Sequence, residues 1–255
     1  MDADLDLLLI AVYVTADDLL PEKPGNARRS VTDAEVVTLC VAQAIMGIPS
    51  DRQFLAVARK RLLHLFPKLP AQPGYFKRRR RAADTIEWLL GVFADQSPGY
   101  CRSHSRFFWG FRLHAIFAAD GTPRALALTS PKIDEREVAL GLLARVRREG
   151  GEIVIGDKGY AGREFAAAVG ELNATIVRPR RKDEPGAGPH LAPIRQRIES
   201  IFWSLKGTLM LERHGARTLA GLRERVLQRL LTLAAAVWLN HQLGRPTRAL
   251  VDYCA

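Results

Sequence analysis

The feature that most constrains this chain is a change of pattern near residue 100. Over the first hundred residues apolar side chains recur at helical spacing with almost no strand signal; after Cys101 they turn to short alternating runs broken by turn residues. Such a division predicts an all-helical region over residues 1–95 followed by an α/β domain over 100–255.

In the first region the spacing predicts a helix from Leu5 to Leu20. Thr32, with Glu35 three positions on, predicts a capped helix through Val36, Val37, Leu39, Val41 and Ile45 to Gly47. Ser50 precedes a third, with Phe54, Val57, Leu62, Leu63 and Leu65 apolar. Gln72-Pro73-Gly74 reads as a turn, followed by Lys77, Arg78, Arg79, Arg80 and Arg81 and then a helix from Asp84 to Phe93. This basic run, read as opening a helix, is either a phosphate-gripping surface or a solvated face. Cations are disfavoured at a helix N-terminus, and a bound phosphate would offset that cost.

In the second region Phe107 to Ala118 alternates, and Asp120-Gly121 turns it into Arg124 to Thr129, predicting an antiparallel pair. Loop and helix follow over 131–148, then a strand at 152–155, a helix at 163–172 and a strand at 174–178. That alternation implies a parallel portion of the sheet. A polar loop leads to a helix from about 191 to 211, and an amphipathic helix from Leu219 to Leu239 closes the chain.

Lys and Arg number 38 against 27 Asp and Glu, a formal charge of +11, which favours a polyanionic partner and makes nucleic acid the leading expectation. Cys40, Cys101 and Cys254 are widely spaced, odd in number and outside zinc spacings, so they read as reduced thiols. The acidic start and the charges that interrupt the apolar stretches point to a cytoplasmic protein with no membrane span.

Two carboxylates stand out. Asp157 directly follows the apolar strand ending at Ile155, between Gly156 and Gly159, where functional groups of α/β sheets cluster. An Asp that simply caps a turn is the commoner use of such a residue. Glu199 lies at the edge of a helical apolar face made by Ile198, Ile201, Phe202 and Leu205, with Arg195 four residues before it; an exposed ion pair with Arg195 is the plainer reading. Together, in a very basic chain, the two acids suggest magnesium-assisted phosphoryl transfer, and two ions normally need more than two carboxylates.

Residues Tyr100-Cys101-Arg102-Ser103-His104-Ser105-Arg106-Phe107-Phe108-Trp109-Gly110, Gly156-Asp157-Lys158-Gly159 and Arg195 to Lys206 resemble the insertion-sequence transposases of the nine-eighty-two group. The resemblance extends from Thr32-Asp33-Ala34-Glu35 through Gln72-Pro73-Gly74-Tyr75 to the final helix. It implies an RNase H-like mixed sheet flanked by helices, with Asp157 and Glu199 as the second and third catalytic, metal-holding acids and Arg195 and Lys206 supporting Glu199. A Tyr expected three residues before Arg195 is absent, since position 192 is Ala. The resemblance further implies Mg²⁺ as cofactor, and double-stranded DNA (terminal inverted repeats and target) as partner of a homo-oligomer.

One element is missing. The resemblance places the first catalytic aspartate on an opening strand before the Tyr-Cys motif, but Ser97-Pro98-Gly99 runs straight into Tyr100-Cys101. The central strand of the sheet therefore reads as deleted, a loss that threatens the fold and that the Phe107 to Ala118 strand could make good by pairing with Glu152 to Ile155. Asp95 at a helix end, Asp120 in the hairpin turn, and Asp134 and Glu135 at a helix start are the candidate substitutes. The expectation is a catalytically impaired transposase, with an end-binding regulator of an intact transposase as the alternative.

Overall fold

The computed structural model describes residues 3–20, 30–95, 111–130, 133–146, 151–182, 184–185, 188–216 and 218–253. The Tyr100 to Gly110 motif, Cys101 and Cys254 lie outside them. The chain divides into two units: residues 1–96 with 203–255, and residues 97–202.

The first unit is helical. Its N-terminal part comprises α1 (Ala3–Leu19), α2 (Asp33–Ile45), α3 (Asp51–Arg61), α4 (Gln72–Arg81) and α5 (Ala83–Asp95). The start of α2 is fixed by a capping box: Thr32 accepts the Glu35 N–H at 3.0 Å while the Glu35 carboxylate accepts the Thr32 N–H. Ser50 caps α3 through the Gln53 N–H at 3.3 Å.

The last long helix of the chain, Leu219–Gln242, belongs to this unit. That differs from the reading that placed it with the α/β domain. The reason is its burial: Val226, Leu227, Leu230, Leu231, Leu233 and Val237 are all enclosed, and a helix buried on every side must sit inside a bundle. Its neighbours are α1, α2, α4 and α5. The Gln228 amide donates to the Cys40 carbonyl at 3.2 Å, and the Tyr253 hydroxyl to Asn240 Oδ1 at 2.6 Å, so these two buried polar groups find partners inside the unit.

A second correction concerns Gln72-Pro73-Gly74, which forms the first turn of α4 rather than a separate turn. Proline is tolerated there because the first helical N–H groups have no partner in any case. The basic run consequently closes a helix instead of opening one, and cations are electrostatically favoured at that end.

The second unit carries the strands. β1 (Arg112–Phe117) and β2 (Pro123–Thr129) form the expected antiparallel hairpin, with Leu113 opposite Leu128 and Ala115 opposite Leu126. Its tip is set by Asp120 Oδ1 accepting the Thr122 N–H at 2.8 Å and by Gly121 at φ 104°, a backbone shape glycine adopts without strain. After α6 (Glu135–Leu143), β3 (Glu152–Ile155) pairs in parallel with β4 (Ala174–Val177) across α7 (Arg163–Glu171). Leu143, Phe165, Val169 and Ala174 are the centre of a small core, with Ile116, Val154 and Ile176 packed on it.

Among the described residues the strands make two separate two-stranded sheets, not one mixed sheet. Among these residues β1 is hydrogen-bonded only to β2 and β3 only to β4, so the described part of the hairpin, Arg112 to Phe117, does not pair with Glu152 to Ile155. Parallel strands are usually covered on both faces, yet Ile153 is 52% exposed. The next helix, α8 (Ala192–Lys206), starts in this unit and ends in the helical one; the Leu219–Gln242 helix is α9.

Candidate functional site

Asp157 stands where the sequence places it, just after β3. It is half-buried and caps a short 3-10 helix, Lys158–Tyr160, its Oδ1 accepting the Gly159 N–H. A side chain at Gly159 would meet that oxygen at 2.8 Å, so only glycine lets the loop wrap the carboxylate this closely. The Gly156 N–H donates to the Val177 carbonyl at 2.7 Å and ties the loop to β4.

Glu199 lies mid-way along α8 and is exposed, between the buried Ile198 and Ile201. One turn on, the Phe202 ring meets Phe117 of β1 edge to face at 5.8 Å between centroids, which seats this part of α8 on the hairpin. Arg195 is exposed on the same helix. Lys206 pairs with Glu212 at 2.7 Å, both in solvent.

No hydrogen bond or ion pair joins Asp157 to Glu199 among the described residues. Nor do any three of their His, Cys, Asp and Glu side chains cluster closely enough to hold a metal ion. Among the described residues, Asp157 and Glu199 by themselves do not make up the two-ion site expected of Mg²⁺.

Three of the acids that could substitute for a missing aspartate, Asp120, Asp134 and Glu135, have local work. Asp120 shapes the hairpin tip, as above. Asp134 caps α6 through the Arg136 N–H at 2.7 Å, and the hydrogen bonds from Arg136 hold its carboxyl down at about 2. Glu135 pairs with Arg112 at 2.5 Å. Asp95 closes α5.

Between β1 and β3 lies a cavity of about 50 Å³, lined by His114 and Ile116 of β1, Leu142 of α6, Val154 and Ile155 of β3, and Phe165 of α7. His114 Nε2 is enclosed with no hydrogen-bond partner. Burial pushes this imidazole below its ordinary pKa against the pull of Glu135, with Arg112 adding to the depression. A neutral, unpaired ring is the expected outcome in an apolar slot.

The basic run separates into two roles. Lys77, Arg80 and Arg81 are exposed, and the Arg80 guanidinium lies 5.6 Å from the centroid of the half-exposed Phe76 ring. Arg78 is tied to the start of α2 by bonds of 2.7 Å to the Val31 carbonyl and to Asp33. Arg79, one of the five proposed phosphate contacts, is corrected by its burial: it is 3% exposed and bonds to Asp51 at 3.0 Å and to Glu224. It lies four residues after the buried Tyr75, so helical spacing turns it inward.

Arg79 belongs to a polar network that the sequence reading passed over. Asp51 Oδ1 accepts from Arg225 at 2.7 Å and from the Gln43 amide at 3.0 Å, and the Tyr75 hydroxyl donates to Gln43 Oε1 at 2.9 Å. Burial alone would raise the Asp51 carboxyl, but Arg79, Gln43 and Arg225 outweigh it and hold it below its ordinary value. Cys40 is a free thiol beside this network, pushed up to about 11 by burial, and so unreactive. The available signal was Glu224, Arg225 and Arg229 embedded in an otherwise apolar helix.

The family model for the transposase DDE domain matches residues 50–235. The chain belongs to the DDE transposase domain family. The match runs from α3 into α9 and takes in both candidate acids, the basic run and the buried network. Its class of function is accordingly DNA transposition, and its substrate class is DNA. No curated protein and no solved structure gives a match. No helix among the described residues of this DDE transposase is long and apolar enough to cross a membrane.

Proposed function

We propose that this chain is an insertion-sequence transposase of the nine-eighty-two group that retains binding to element ends but is impaired in strand cleavage and transfer. The observation that carries the reading is the pair of separate sheets. Among the described residues β1 and β3 each have one ladder partner and share a slot between them, as expected if the strand bearing the first aspartate were deleted. The direct run of Gly99 into Tyr100 and the local duties of Asp120, Asp134 and Glu135 point the same way.

In this reading Asp157 and Glu199 are remnants of a metal-holding set, with Arg195 beside Glu199. Lys77, Arg80 and Arg81 supply phosphate contacts, with end recognition in the helical region. Such contacts give affinity without sequence information and fall with salt through counterion release. A second reading, a regulator that joins oligomers of an intact transposase, is favoured by the second edges of β1 and β3, which have no strand partner among the described residues and could template strand addition.

The test is a labelled duplex carrying an element end, incubated with wild type and Asp157→Ala, with and without Mg²⁺, and scored for binding and for strand cleavage. Salt-sensitive binding without cleavage is expected. Cleavage that needs both Mg²⁺ and Asp157 would overturn the impaired-enzyme reading; loss of strand transfer by an intact copy on addition of this chain would identify the regulator.

A further inference from the structure

Inside the helical unit, three arginines, Arg79, Arg225 and Arg229, meet two carboxylates, Asp51 and Glu224, leaving one positive charge in excess. Asp51 is paired with Arg79 and Arg225, and Glu224 with Arg79 through one oxygen, its other oxygen being buried without a partner. Arg229 is 3% exposed and reaches only carbonyls, donating from Nε to Met210 at 3.4 Å and from Nη1 to Arg225 at 2.9 Å. Burial, with Arg225 and Arg79 nearby, pushes it down to about 10, so it stays charged at neutral pH. A buried charge with no counter-charge is costly, and this one is built in by a helix fixed on all sides.

The outward side of Arg229 shows what could neutralise it. Nη2 makes no hydrogen bond to a described residue and is not sealed from solvent. Beside it, the Met210 carbonyl that Arg229 grips also accepts the Arg213 N–H at 3.0 Å, which brings the loop bearing the half-buried His214 against Arg229; burial, and then Arg229 and Arg225, lower the pKa of that imidazole. His214 Nδ1 accepts the Ala216 N–H at 3.0 Å, so the ring proton sits on Nε2 as a free donor. Met210, whose carbonyl Arg229 grips, is held in the left-handed region at φ 48°, and Arg213 is exposed in the same loop.

We infer that Arg229 Nη2 and His214 Nε2 form a binding site for a phosphate oxyanion, flanked by Arg213. A tetrahedral oxyanion supplies the missing negative charge and accepts from both donors; a phosphodiester of bound DNA and free phosphate present the same group. The site lies on the helical unit and does not depend on whether the protein cleaves DNA.

The experiment measures thermal unfolding of the full chain in rising inorganic phosphate, with chloride at matched ionic strength as reference. Alongside it, affinity for a short duplex is measured across a salt series. Phosphate should raise the wild-type Tm saturably and leave Arg229→Met unmoved, while Arg229→Lys keeps a weaker response. Equal responses of wild type and Arg229→Met, or none in wild type, would overturn the proposal. Should Arg229→Met fail to fold, His214→Gln carries the test: its half-saturating phosphate concentration should rise, and an unchanged value refutes the site. If DNA is the natural source, Arg229→Met or His214→Gln weakens duplex binding about tenfold, as for loss of a hydrogen bond to a charged group. A phosphate response with undiminished duplex binding assigns the site to free phosphate.

Discussion

Arg79 and Arg81 are two residues apart in one run of like charge and do opposite jobs. Arg79 is enclosed with Asp51 and Glu224, so Arg79→Ala strands buried carboxylates and should lower unfolding free energy by about 3–5 kcal/mol in denaturant titration. Arg81 is exposed; Arg81→Ala should change stability by less than about 0.5 kcal/mol while flattening the log–log salt slope of duplex binding by about 0.9. The converse pattern would reverse the assignment of roles. Asp51 adds a pH signature. Its folded carboxyl lies below its ordinary value, so its contribution to stability is fully present above the ordinary carboxylate pKa and is lost as pH falls through the depressed one. Acid unfolding of wild type should therefore show a steeper loss below the ordinary Asp range than Asp51→Asn, followed by helical circular dichroism.

At the level of elements, β1 and β3 each pair along one edge among the described residues, and an exposed edge would be a liability of the fold. Ile153 on β3 is half in solvent; Ile153→Lys puts a charge on that strand and should reduce concentration-dependent light scattering without lowering helical content. Unchanged scattering would show that the edge is not the route of association. Elements whose signals are local were legible in the sequence: the Thr32 box, the Ser50 cap, the Asp120-Gly121 hairpin, and β3 and β4 to within a residue. Gln72-Pro73-Gly74 misled because proline and glycine punctuate turns but also fit a first helical turn. Of the candidate site, the places of Asp157 and Glu199 on loop and helix were legible. The inward turn of Arg79 and the network around Asp51 were not, because they depend on partners more than a hundred residues away, such as Glu224.

Over the whole molecule, the unit boundaries were the hardest to foresee, since a contact between the two ends of a chain leaves no periodic trace. The helical unit is made of residues 1–96 and 203–255, with the strand-bearing residues 97–202 inserted between its parts. α9 is the element that completes it, enclosed over most of its length. During synthesis α1, α2, α4 and α5 leave the ribosome with the faces that pack on α9 unmet, and these stay so until the carboxyl-terminal stretch has been translated. Nascent chains of this protein should thus dwell on chaperones through the whole translation of the insert, and premature termination anywhere before α9 would yield a product that proteases clear. Mutational damage confined to the insert escapes that penalty, because the bundle that closes last contains none of it.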